Sequence, residues 1–318
     1  MTGWLARRCL ASVAIVFAVV TLTFFVIRLA PGEPFIPPSD RPISPERRAI
    51  LIRTFGLDKP LVTQYGRYLG AVLRGEFGDS FTHRRPVAGM LAYAIPPTLL
   101  LAGAALVIDF LLGMALGVFQ AMRARSRTDV ALGATTLFLA SVPTFWLGML
   151  LVTVFALWLH WFPSSGIHSA LNSSLADLLW HLVLPAVTLG VVGAATTARY
   201  QRAAALDATS HDYVRTARAK GLADRAVMRH HVLRNALLPM VTLFGLAFPF
   251  LVTGAVFIET VFGWPGMGRL AADAILQRDY PVVSATLLAA SVMVVLGSLI
   301  ADLLAALADP RIRVWARA

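Results

Sequence analysis

Six stretches of this chain, at about 9–29, 97–120, 131–158, 179–198, 236–258 and 283–307, are long and almost wholly apolar. A bilayer core about 30 Å thick takes about 20 apolar residues of helix to cross. Each stretch is long enough, so the expected fold is an all-α integral membrane protein with six transmembrane helices. Composition agrees: 58% of the 318 residues are hydrophobic and 14% are charged, against about 25% charged in a soluble domain. Gly113, Gly117, Pro143, Pro185, Gly245 and Pro249 fall inside the stretches. Membrane helices tolerate them because neighbouring helices and water satisfy the freed backbone groups.

The first stretch has the outline of a secretory signal, since Arg7 and Arg8 precede an apolar run from Cys9 to Ile27. That run exceeds the roughly 7–15 residues of a signal core. It continues into LAPGEPF with no clean small-x-small cleavage site, so it reads as a retained span. Cys9 is the one cysteine and makes no internal disulfide. Orientation follows from Lys and Arg, which concentrate on the cytoplasmic side. With the N-terminus inside, the cytoplasmic segments hold 16 cations and five acids, and the outer segments 12 cations and ten acids. Asp109 and Asp302 lie within spans. The short outer loops, 159–178 and 259–282, carry only Arg269 and Arg278. The expected topology is N-in and C-in, and the net charge of +11 reflects loop asymmetry rather than a nucleic-acid partner.

This topology divides the chain into a first transmembrane helix (1–29), an extracytoplasmic insert (30–96), a five-helix core (97–310) with a cytoplasmic loop at 200–235, and a cytoplasmic tail (311–318). The insert is too long for a plain connection. Ser44-Pro45-Glu46 is a helix start signal, with Ile50, Leu51 and Phe55 at helical spacing behind it. From Pro60 to Leu73, the residues Leu61, Tyr65, Tyr68, Leu69 and Val72 give a second amphipathic face. Together they predict a small helical cap on the outer mouth.

Phosphate-cradling, zinc-protease and serine-hydrolase motifs are absent from the sequence. Neither Lys59 nor Lys220 sits in G-x-x-x-x-G-K-[ST], and there is no H-E-x-x-H, no G-x-S-x-G and no cysteine–histidine cluster. The reading is therefore a chain that is not an enzyme and binds no metal or cofactor. What stands out is DYVRTARAKG in the cytoplasmic loop. Asp212 suits a helix N-cap, Tyr213–Lys220 make about two turns, and Gly221 is a stop signal. Val214, Ala217 and Arg218 share one side. Thr216, Ala217, Ala219 and Gly221 are small enough for close approach, and Arg215, Arg218 and Lys220 offer charge. Docking to another protein and contact with anionic lipid headgroups both fit these residues.

This loop is similar to the cytoplasmic EAA loop of ABC-importer permeases in its peptide-permease form. Arg215, Thr216 and Ala217 occupy the E-A-A places, Gly221 the glycine, and Leu238-Pro239 the closing pair. RLAPGEPF from Arg28, the run from Phe55 to Phe81, SVPTFWLGMLL from Ser141, the run from Glu259 to Val283, and DPRIR from Asp309 resemble further family segments in the same order. The chain therefore resembles the B-type permease of dipeptide and oligopeptide importers, whose relatives also serve nickel and glutathione. The resemblance implies a type I importer transmembrane domain that forms half of a translocation path. It implies four kinds of partner: a second homologous permease, two ABC ATPase subunits that hold the ATP and magnesium, an extracytoplasmic substrate-binding protein, and membrane lipid. It also implies that Asp212–Gly221 is the coupling helix seated on an ATPase.

Asp109 is a departure, because the family has an apolar residue at that place; it is a candidate for the path, as are Trp264 and Met267 of the Gly- and Pro-rich segment GWPGMGR. Asp302 reads as a structural group within reach of Arg311. Two other classes compete. A self-contained secondary transporter would carry inverted repeats and a paired ion site, and the sequence has no convincing duplication. A membrane receptor or scaffold would use 30–96 as its binding module.

Overall fold

The computed structural model describes residues 2–29, 45–54 and 58–308. Insert residues 30–44 and 55–57, with Phe55, and the end of the chain from Asp309, including Arg311 and the tail 311–318, lie outside the described residues. The regular structure of the described residues is all helical, apart from two isolated bridge pairs, Asp79–Pro86 and Ser169–Asn172. The helices are α1 (Thr2–Leu29), α2 (Pro45–Thr54), α3 (Leu61–Leu73), α4 (Val87–Met122), α5 (Arg127–Ser141), α6 (Thr144–Leu151), α7 (Leu175–Ser210), α8 (Asp212–Ala219), α9 (Asp224–Val227), α10 (Leu233–Ala236), α11 (Leu238–Val261), α12 (Met267–Leu276) and α13 (Tyr280–Ala308). Wider π-helical turns extend α6 over Val152–Trp158 and join α9 to α10 over Met228–Val232. The two helices expected in the insert are present as α2 and α3.

Among the described residues, α1, α4, α7 and α13 are long and apolar enough to cross a membrane, and α5 with α6 makes a fifth crossing if the bent pair is one span. The stretch 131–158, read as one helix, is bent by 100° between α5 and α6. Pro143 is the cause. It lacks an N–H, and its ring pushes the residue before it out of the helical region. Val142 is accordingly extended, at φ −77° and ψ 128°. α11 has 24 residues, of which Leu238–Ala247 are described in full as an apolar helix.

α4 and α7 have 36 residues each. At 1.5 Å per residue each is about 54 Å long, well beyond a bilayer core. α4 begins ten residues before the expected span and α7 runs twelve past it. Their packing is set by small residues. A methyl group at Gly113 would stand 2.6 Å from Thr197 Cβ, and one at Gly190 would stand 2.6 Å from Ile108 Cβ. Neither position has room for a side chain, so glycine permits the close backbone approach. Gly190 lies against Ala105, Gly193 against Asp109, Thr197 against Gly113 and Gln201 against Gly117. Both series rise together in steps of three or four, so the two helices run parallel with ridges of i±4 type in register.

α1 is fastened to this core at both ends. Arg8 Nε donates to Asp302 Oδ2 of α13 near its start. Asp302 is thus paired with Arg8, and its expected partner Arg311 lies outside the described residues. Near its end, Thr21 shares a 2.7 Å hydrogen bond with Tyr65, and Arg28 Nε donates to Gln64 Oε1 at 2.7 Å. Phe24 is fully buried against Tyr65 and Tyr68 of α3.

Candidate functional site

α7 carries α8, the helix of the 200–235 loop, directly on its end. It stops at Ser210, His211 turns the chain with ψ of 151°, and α8 starts at Asp212. Here the structure differs from the sequence reading in two residues. His211, not Asp212, holds the N-cap place. Asp212 lies in the first turn, with its carboxylate 3.5 Å from Arg215 and both side chains mostly in solvent, a pair worth well under about 1 kcal/mol. Arg218, one turn on from Val214, keeps its side chain out of the buried contact that Val214 and Ala217 make. It is exposed and its Nε donates to Asp224 Oδ1 at 3.2 Å, across the turn into α9.

The helix end follows from Gly221. Its φ is +78°, the left-handed region, and open space surrounds the place a Cβ would take. Gly221 N–H bonds to Arg218 carbonyl at 2.9 Å and Leu222 N–H to Ala217 carbonyl at 3.3 Å. That paired pattern is a Schellman stop, in which glycine is favoured by backbone conformation alone.

Val214 and Ala217 are 0% and 4% exposed. They pack into a cluster with Ala121 of α4, Ala205 and Ala208 of α7, and Val227, Val232 and Ala236 from the segment that follows. Ala217 therefore packs within the chain and is not part of the outward surface. That surface consists of Asp212, Tyr213, Arg215, Thr216, Arg218, Ala219, Lys220 and Gly221, all exposed. The inner side grips the ends of α4 and α7, so the helix cannot shift without them.

An ion pair with its carboxylate buried and its guanidinium partly exposed braces the same end of the bundle. Arg202 of α7 grips Asp129 of α5 with two bonds of 2.8 Å, and Arg125 N–H adds a third at 2.9 Å. Charge counting registered these residues only as orientation markers, because their contact spans 73 residues of sequence. One turn away, Gln120 and Gln201 are almost fully buried, and Gln120 Oε1 with both polar atoms of the Gln201 amide has no partner among the described residues.

The remaining singled-out residues are also internal. Asp109 is 3% exposed, accepts a 2.6 Å hydrogen bond from Thr197 Oγ1 and lies against Gly193. Trp264 is 0% exposed and its Nε1–H donates to Pro97 carbonyl at 2.9 Å. Met267 is buried and its N–H donates to Thr98 Oγ1 at 2.7 Å. Thr98 in turn donates to Glu259 Oε1 at 2.6 Å, and Arg269 N–H donates to Glu259 Oε2 at 2.9 Å. Glu259, which sequence reasoning passed over, caps the start of α12 from the preceding helix and ties it to α4. A Cβ on Gly266 or Gly268 would run into its carboxylate, so the two glycines of PGMG follow from that close approach. An open cleft of about 720 Å³ lies beside this clamp, lined by Arg85, Tyr93, Pro265, Arg269 and Asp273. No group of three His, Cys, Asp or Glu that could hold a metal ion occurs among the described residues.

Comparison with known proteins is consistent along the chain. Residues 113–314 match the family described as binding-protein-dependent transport system inner membrane component, and residues 1–102 match its N-terminal membrane component. The chain is similar to the oligopeptide transport system permease protein AppB of Bacillus subtilis, with 39% identity over 98% of this chain and 99% of that protein. It is similar to the di/tripeptide permease DppB of Pseudomonas aeruginosa, also with 39% identity over 98% of this chain and 99% of that protein. The glutathione permease GsiC of Salmonella paratyphi A matches at 39% over the same shares. Among solved structures, an inward-facing form of the MetNI methionine ABC transporter superposes with a TM-score of 0.58 at 17% identity, over 69% of this chain and 96% of that one. That likeness bears on the fold, an all-helical ABC-importer membrane domain.

Proposed function

The chain belongs to the binding-protein-dependent transport system inner membrane component family, and we propose that it is one permease half of an ATP-driven peptide importer. It is a multi-pass inner-membrane protein. The partner set follows from the family: a second, related permease, two ABC ATPases that bind the ATP and magnesium, and an extracytoplasmic binding protein. In this reading the permease catalyses nothing itself. The names of AppB and DppB favour oligopeptides or dipeptides, and that of GsiC keeps glutathione as the second reading.

Six spans with both ends inside complete the proposal. The parallel run of α4 and α7 supports it, because the chain between two parallel crossings has to return to the starting face, and the bent pair α5–α6 provides one return. The proposed units are the first helix (1–29), the insert (30–96), the core (97–310) with its loop 200–235, and the tail (311–318).

One observation carries the mechanism. α8 turns a polar, charged face outward while Val214 and Ala217 lock it to α4 and α7. A push on Asp212–Gly221 from an ATPase would therefore move the two longest helices of the core. Asp109, Trp264 and Met267 support the path from behind its wall, since all three are buried within the chain. The test is reconstitution of the whole complex with Arg215→Glu and Lys220→Glu combined. Substrate-stimulated ATP hydrolysis and uptake should both fall at least about tenfold while the permease still inserts, a loss of roughly 1.4 kcal/mol of docking. Unchanged coupling would refute the docking assignment, and uptake by liposomes holding this chain alone would refute the importer reading.

A further inference from the structure

Two hollows lie in sequence along one face of α13. The first, about 300 Å³, is mixed: Arg28, Arg67, Tyr68, Glu76, Asp79 and Ser284 give it a polar part, and Ala71, Phe77, Pro281 and Ala285 an apolar one. The second, about 460 Å³, runs between α1 and α13 and exposes only apolar surface. Val72 and Leu288 line both. On α13 the lining residues Ser284, Leu288, Val295 and Leu299 are spaced by four, seven and four, which is one helical face.

We propose that this composite hollow holds a single phospholipid with an amino headgroup, its phosphate and ammonium in the polar part and an acyl chain in the apolar groove. The groove lies between two membrane-crossing helices, so its occupant comes from the membrane. The groove's exposed surface is wholly apolar, and the groove is bounded where α1 is tied to α13 through Arg8–Asp302 at one end and to α3 through Thr21–Tyr65 and Arg28–Gln64 at the other. A hydrocarbon chain matches that surface.

The polar part of the first hollow selects the headgroup. The Arg28 side chain lies over the Phe24 ring at 3.9 Å, with its Nε held by Gln64. Its terminal nitrogens carry no hydrogen bond among the described residues and match two phosphate oxygens. Arg67 adds a second cation. Of the two carboxylates, Glu76 is paired with Arg74 at 3.1 Å, which leaves Asp79 to accept from a primary ammonium. A choline headgroup has no N–H to donate there, and a glycerol headgroup has no cation to offset the Asp79 charge.

Native mass spectrometry on the full-length protein within its complex tests this, after stripping and rebinding with phosphatidylethanolamine, phosphatidylcholine or phosphatidylglycerol vesicles. One phosphatidylethanolamine per chain is expected to rebind, preferred about tenfold over the other two, a difference of roughly 1.4 kcal/mol. Asp79→Asn, at an exposed position, should erase the preference over phosphatidylcholine without lowering total lipid. Val72→Trp, at the junction of the hollows, should remove retention of all three. Equal retention of the three lipids by the unaltered protein would overturn the proposal and indicate ordinary boundary lipid. So would full retention in Val72→Trp, or displacement of the lipid by a soluble dipeptide, which would make the first hollow a site for the peptide zwitterion.

Discussion

At the residue scale the buried polar groups of α5 and α7 meet opposite fates. Asp129 has three donors, two of them from Arg202. Removing one partner of a buried pair leaves the other charge uncompensated, at about 3–5 kcal/mol. Arg202 is about one-third exposed, so Arg202→Ala is expected to cost less, about 1–3 kcal/mol, as for hydrogen bonds to a charged group, read as earlier thermal unfolding in detergent. Gln201 has no partner for its amide among the described residues. Exchange for an apolar group of similar shape recovers the desolvation cost, so Gln201→Met should leave the unfolding temperature unchanged or raise it. A clear fall would mean that the amide is bonded in the assembled protein. Neither fate is legible in sequence, where Asp129 counts only as a cytoplasmic acid and Gln201 as a polar residue near a span end.

At the element scale, Gly221 and Gly266 are glycines for different reasons. Gly221 has space but a left-handed backbone, so Gly221→Asn should be tolerated and Gly221→Val should fray α8, destabilising by over about 1 kcal/mol. Limited proteolysis of the 211–224 segment reads the difference. Gly266 sits against the Glu259 carboxylate. Gly266→Ala has to displace Glu259, Thr98 or the start of α12, and hydrogen exchange in 264–276 should rise. If exchange there stays as in the unaltered protein, Glu259 is not what holds α12. The helix over Asp212–Ala219 was legible because a polar residue, two apolar inward positions and a glycine stop occur at helical spacing. Its inner and outer faces were less so: eight residues do not reveal which neighbour they pack on, and Arg218 falls on either side of a narrow apolar stripe. The 100° bend at Pro143 was also hidden, since proline within a span kinks mildly or sharply according to what packs around it.

At the scale of the whole molecule, the proposed N-in topology puts α8 and the 159–174 segment on opposite faces. In a Cys9→Ser background, a cysteine at Lys220 should react with a membrane-impermeant maleimide only from the cytoplasmic side. One at Leu171, which is fully exposed, should react only from outside. Labelling of both from one side would overturn the topology. The sequence alone determined the class of this protein, its membrane setting and the helix over Asp212–Ala219, because these rest on local quantities: the length of apolar runs and helix signals a few positions apart. Tertiary structure decided what those elements grip. The clasp of α3 on α1, the Asp129–Arg202 pair, the Glu259 cap and the use of Ala217 inside the chain all join residues distant in sequence or depend on which face of a helix turns inward. Helical periodicity places residues on a face, and only packing selects which face is buried.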